Sequence, residues 1–152
     1  MKIGLWEPFP VLERLLIRNT GVFRFPEGVA ITRGKQGESY DLLLHDRASL
    51  LPARAQVVLI SGEREPIGAS HPFSESRILT GGMGCTDPVT FSSIGEDHAL
   101  LCLQEEIVIG AREIGPFERP VPFLRGYSLF KNLAAGFALS LAEILFGEES
   151  AE

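Results

Sequence analysis

The chain has 152 residues, of which 45% are hydrophobic and 22% charged, with a formal net charge of -6 and an isoelectric point near 5.1. That length suits a single domain, residues 1–152, able to bury roughly 70% of its unfolded surface, and the composition excludes a disordered chain. The acidity argues against nucleic acid as a partner, because affinity for a phosphate backbone comes from clustered Lys and Arg releasing counterions, and no polybasic run offers to dock on an anionic membrane.

Two cysteines, Cys85 and Cys102, make no disulfide framework, and the start Met1-Lys2-Ile3-Gly4-Leu5-Trp6-Glu7-Pro8 lacks the long apolar stretch of a signal peptide. A cytoplasmic location is expected. Leu129 to Phe146 alone approaches spanning length, but Lys131, Asn132 and Glu143 fall inside it, so a membrane span is not expected.

In chain order, Lys2 to Trp6 reads as a short strand. Val11, Leu12, Leu15 and Leu16 then recur at helical spacing, and Thr20-Gly21 supplies a stop. Val29 to Thr32 offers a strand and Arg33 to Ser39 a polar loop. Tyr40-Asp41-Leu42-Leu43-Leu44-His45-Asp46 and Gln56-Val57-Val58-Leu59-Ile60-Ser61 are apolar runs that suit strands buried on both faces. Arg47 to Leu51 can form one helical turn, and Gly62 to Glu75, with Pro66 and Pro72, reads as a surface loop.

Arg77 to Thr80 resumes extended structure, and Val89 to Ile94, Gly95-Glu96-Asp97 and Ala99 to Gln104 read as a hairpin with a three-residue turn. A second turn at Gly110 extends it as a meander. The C-terminal helix from Leu129 to Phe146 is apolar over most of its circumference, with Ser128, Asn132, Gly136, Ser140 and Glu143 on one narrow stripe. The sum is an α/β fold: a two-layer or three-layer sheet with mixed strands, a hairpin or meander in the second half, and a C-terminal apolar helix.

Three constellations could carry chemistry. The run Thr80-Gly81-Gly82-Met83-Gly84-Cys85-Thr86-Asp87-Pro88 could free backbone amides for an anion, but it lacks the lysine of a phosphate loop and the following helix of a dinucleotide fingerprint. It reads first as a tight connection between strands. Within it Cys85 could act as a nucleophile, with His45, His71 and His98 all candidate partners in space and His45 or His98 as base; Cys102, between Leu101 and Leu103, reads as a small core side chain.

His45-Asp46 and Ser61-Gly62-Glu63 end two strands, where open α/β sheets take ligands. Ser92-Ser93 and Glu105-Glu106 match no reaction signature, and the Cys and His spacing gives no zinc pattern. No metal or cofactor is expected. The candidate ligand-binding residues are Gly82, Gly84, Cys85, Thr86, Asp87, Asp46 and Glu63.

From Val57 onward the order of features resembles the later part of the central domain of Mur ligases, the ATP-dependent amide ligases that build peptidoglycan precursors. The resemblance rests on Ile60-Ser61-Gly62-Glu63, on Arg77-Ile78-Leu79-Thr80 leading to Gly81-Gly82, on the hairpins, and on Leu124-Arg125-Gly126 before Asn132-Leu133-Ala134-Ala135. The phosphate loop of that family is missing, because the chain's Gly34-Lys35 is followed by Gln36. The resemblance therefore implies a reduced relative without ligase activity, with Asn132 its only family-like position near a nucleotide.

The expectation is a non-catalytic module that binds a small molecule or a protein, self-association through the C-terminal helix included. The rival is a small enzyme built on Cys85.

Overall fold

The computed structural model describes residues 1–17, 28–35, 37–46, 54–62 and 76–146. Chain order is β1 (Lys2–Leu5), α1 (Pro10–Ile17), β2 (Ala30–Arg33), β3 (Ser39–His45), β4 (Arg54–Ser61), β5 (Arg77–Gly81), β6 (Val89–Ile94), β7 (His98–Leu103), β8 (Ile107–Ile109), β9 (Arg112–Ile114), β10 (Phe117–Pro122) and α2 (Leu129–Phe146). Thr20-Gly21, the turn at Arg47 to Leu51, His71 and Glu63 lie outside the described residues, as does nearly all of the loop from Gly62 to Glu75.

Eight strands form one mixed sheet in the order β10-β7-β6-β5-β4-β3-β1-β2. Strands β2, β1, β3, β4 and β5 run parallel, and β7 is antiparallel to both β6 and β10. Between the two parts the chain steps sideways, pairing Gly81 with Val89 in parallel before β6 carries on in the same direction. An α/β fold of mixed strands is what the sequence predicts.

The apolar runs of β3 and β4 follow from burial on both faces. Leu42, Leu44, Val57 and Leu59 face the main core with α1 and α2, while Tyr40, Leu43, Val58 and Ile60 form a second cluster with Trp6 and Ile78. Each fully buried leucine contributes roughly 2 kcal/mol of transfer free energy. In β7 the pattern alternates, with Leu101 and Leu103 inward and Cys102 outward. Cys102 is therefore half-buried rather than a core residue, and its thiol donates to Glu118 Oε2 at 3.1 Å.

Helix α2 spans the predicted residues, and the middle of its polar stripe is turned into the fold. Asn132, Gly136 and Ser140 are all buried. Asn132 Oδ1 accepts from the Leu124 amide at 2.8 Å and its Nδ2 donates to the carbonyls of Leu124 and Ser128, while Gly136 lets Val121 of β10 approach to where a Cβ would lie at 2.9 Å. The small and polar residues are points of close packing. Among the described residues α2 is the one helix long and apolar enough to cross a membrane, and 72% of it is buried inside the fold.

Two features depart from the expected meander. The turn at Gly110 does form a hairpin, with positive φ at that glycine, but β8 and β9 make a separate two-stranded sheet. Strand β10, which no sequence signal suggested, completes the edge beyond β7. Pro120 and Pro122 disguise it, since proline cannot donate to a ladder and is tolerated only where no partner needs the amide.

Candidate functional site

Strand order reverses between β1 and β3: the chain goes outward from β1 to β2, then returns to build β3, β4 and β5 on β1's other side. In open α/β sheets such a reversal opens a crevice at the strand carboxyl ends. Four adjacent strands, β1, β3, β4 and β5, end there in polar residues. In that order the row is Glu7, His45-Asp46, Ser61-Gly62 and the turn from Gly82 to Asp87.

The β1 and β3 ends hold a charge cluster. His45 Nδ1 lies 2.7 Å from Glu7 Oε2, and the Asp46 amide donates to Glu7 Oε1, so both oxygens of this carboxylate are engaged. Burial by itself would raise the Glu7 pKa. The hydrogen bonds from His45 and the Asp46 amide outweigh it, with the charges of His45 and Lys131, and hold the carboxyl below its ordinary value.

Lys131 belongs to the first turn of α2, where a cation opposes the helix dipole. Its position is set by tertiary partners instead. Nζ donates to the Pro8 carbonyl at 2.9 Å, lies 3.7 Å from Asp46 Oδ2, and sits 3.9 Å from the centre of the Phe9 ring. Ser128 caps the same helix through its hydroxyl, which accepts from the Lys131 amide.

The glycine run is built around an anion, and the anion is the protein's own. Asp87 Oδ1 accepts from Thr80 Oγ1 at 2.8 Å, and Oδ2 from the Gly84 amide at 2.9 Å. A Cβ on Gly62 would lie 2.3 Å from Asp87 Oδ1, and one on Gly82 would lie 2.6 Å from Oδ2. Side chains are missing from both strand ends because this carboxylate occupies the space. Gln104 Nε2 donates to the Asp87 carbonyl and fixes the turn from the far side.

Of the residues singled out in the sequence, Asp46, His45, Gly82, Gly84 and Asp87 lie along the one row of strand ends. Thr86 and Cys85 are exposed on the β5–β6 turn. Neither histidine is bonded to Cys85: His45 is buried against Glu7, and His98 is exposed in the β6–β7 turn beside Asp97, at 2.9 Å. That pair holds the Asp97 carboxyl below its ordinary value through the hydrogen bond and charge of His98. Asn132, the position emphasised by the Mur ligase resemblance, directs its amide to backbone groups of its own chain.

Sequence reasoning missed Glu7 and Lys131. A faint signal existed for each: Glu7 follows directly on a strand that enters a helix, and Lys131 is a cation where helix electrostatics disfavours one. Comparison of the chain with protein-family models, with curated proteins and with solved structures finds no match.

Among the described residues no group of three or more His, Cys, Asp or Glu side chains could hold a metal ion. Fold and site together define an open, mostly parallel α/β domain with a charged row at one end of its sheet.

Proposed function

We propose that this domain is a non-catalytic module that binds a small molecule at the carboxyl ends of β1, β3, β4 and β5. The observation that supports the reading is the cluster of Glu7, His45, Asp46 and Lys131 at the reversal of strand order. Two carboxylates and one lysine favour a ligand with cationic or hydrogen-bond-donating groups, and disfavour a polyphosphate.

A titration of the isotope-labelled chain followed by amide NMR tests it, using small amines, amino sugars and nucleosides, with ATP as the contrasting probe. Shifts should gather at Glu7, Asp46, Gly62 and Gly82 and weaken in Asp46→Asn. Shifts that gather elsewhere, or that Asp46→Asn leaves untouched, defeat the proposal.

Two other readings have less support. Self-association through α2 has little free surface to use, because twelve of its residues between Phe130 and Ala142 are buried in the chain's own fold; a dimer in light scattering that Phe146→Glu dissociates would favour it. As for catalysis by Cys85, among the described residues no histidine is bonded to its thiol. An alkylation rate well above that of an ordinary exposed thiol would favour it.

A further inference from the structure

At the opposite end of the sheet lies a cavity of about 230 Å³ between the start of β1, strand β3, the β8–β9 hairpin and the last turn of α2. Its apolar lining comes from Met1, Ile109, Ala111, Leu145 and Phe146, and two side chains of opposite charge, Asp41 and Arg112, share it. Among the described residues these two are not paired with each other. Asp41 Oδ2 accepts from the Lys2 amide at 2.7 Å, and Arg112 Nη1 donates to the Leu145 carbonyl at 2.8 Å. Each keeps capacity in hand: a carboxylate has a second oxygen and a guanidinium five donors.

The wall that carries Arg112 is held in place. Gln56 of β4 clamps the hairpin tip from both sides, its Oε1 accepting from the Gly110 amide at 2.7 Å and its Nε2 donating to the Gly110 carbonyl at 3.2 Å. Ile107, Ile109 and Ile114 anchor the rest of the hairpin in the main core. Arg112 therefore leaves a short, fixed support, the kind of preorganisation that lowers the entropic cost of binding. The Met1 ammonium, also at the cavity, is turned to the Gly28 carbonyl at 2.6 Å.

From this geometry we infer that the cavity binds a free α-amino acid with an apolar side chain. Arg112 meets the carboxylate, Asp41 meets the ammonium, and the apolar lining takes the side chain. The volume falls below the range of roughly 300–1,000 Å³ for drug-sized ligands, which suits a molecule of amino-acid size. This inference is independent of the strand-end site and lies at the other end of the strands.

Isothermal titration of the full chain tests it with L-leucine, L-methionine and L-phenylalanine as probes. For leucine two partial analogues separate the charges: 4-methylpentanoate lacks the ammonium, and 3-methylbutylamine lacks the carboxylate. At least one amino acid should bind, and the partial analogues should bind about tenfold more weakly or worse, as expected for a lost charge-assisted hydrogen bond. Arg112→Gln should weaken the amino acid by about the same factor while leaving 3-methylbutylamine unchanged.

Ala111→Phe, in an exposed turn, should fill the cavity and abolish binding, with a thermal melt showing that the chain still folds. Absence of binding by all three amino acids, or binding that survives both Ala111→Phe and Arg112→Gln, overturns the inference. Either failure leaves the amide shifts expected at Glu7 and Asp46 unaffected, so the two proposals fail separately.

Discussion

Two carboxylates at the same end of the sheet have opposite surroundings. Asp87 lies in a closed cradle: Thr80 and the Gly84 amide bond it, Gly62 and Gly82 make room for it, and it is 8% exposed. Glu7 sits beside a histidine and near a lysine, with its side chain 23% exposed. The first is a structural anion that closes a turn. The second belongs to a charge cluster assembled from β1, β3 and α2, elements far apart in sequence. Glycines near a carboxylate can thus mark a site filled by the protein's own side chain, whereas the second carboxylate is bonded only by groups that the fold brings together from separate elements.

The largest effect that sharpens this contrast comes from removing the structural carboxylate. Asp87→Ala should cost about 3 kcal/mol, because it removes the acceptor of a half-buried hydroxyl and of an amide that bonded a charge; urea denaturation at neutral pH reads it. A destabilisation of only a few tenths of a kcal/mol would mean that Asp87 does not hold the turn.

Next comes Gly62→Ala, expected to cost about 2 kcal/mol by overpacking against a carboxylate that cannot move away. In the Asp87→Ala background that cost should largely disappear, since the obstructing group is gone. Additive losses in this double-mutant cycle would break the account of why the strand ends carry glycine.

Glu7→Gln should act less on total stability, by about 1 kcal/mol, and more on its pH dependence. The Glu7 carboxyl is held below its ordinary value of 4.5 in the folded state. Its contribution is therefore complete above that value and lost as the pH falls through the lower folded-state value. Wild type should lose more stability than Glu7→Gln between neutral pH and about pH 3, and parallel curves would remove Glu7 from the cluster.

The smallest effect concerns the other end of the sheet. Gln56→Ala should cost about 1 kcal/mol or less and accelerate hydrogen exchange at the Gly110 amide, which it releases.

Much of this architecture is legible along the chain. The apolar runs around Leu42–Leu44 and Val57–Ile60 mark strands buried on both faces, the turn Gly95-Glu96-Asp97 joins two strands as expected, and α2 begins and ends at the predicted residues. Strand β10 was hidden because Pro120 and Pro122 argue locally against a ladder that only an edge position tolerates. What the stripe Asn132, Gly136 and Ser140 packs against was not legible, because composition does not report whether a polar residue meets water or the interior. His45 and Asp46 were legible as a strand end, while Glu7 and Lys131 were not.

The sequence by itself determined local matters: where helices and strands form, because hydrophobic period is a property of neighbouring residues, and that the chain is acidic, with no phosphate loop. Only the tertiary structure decided which strand ends adjoin, that the glycine run encloses Asp87 instead of a ligand, and that Glu7, Asp46 and Lys131 meet. The physical reason is distance along the chain. A pairing between residues 46 and 131 depends on the order in which strands assemble, and no spacing within the sequence encodes that order.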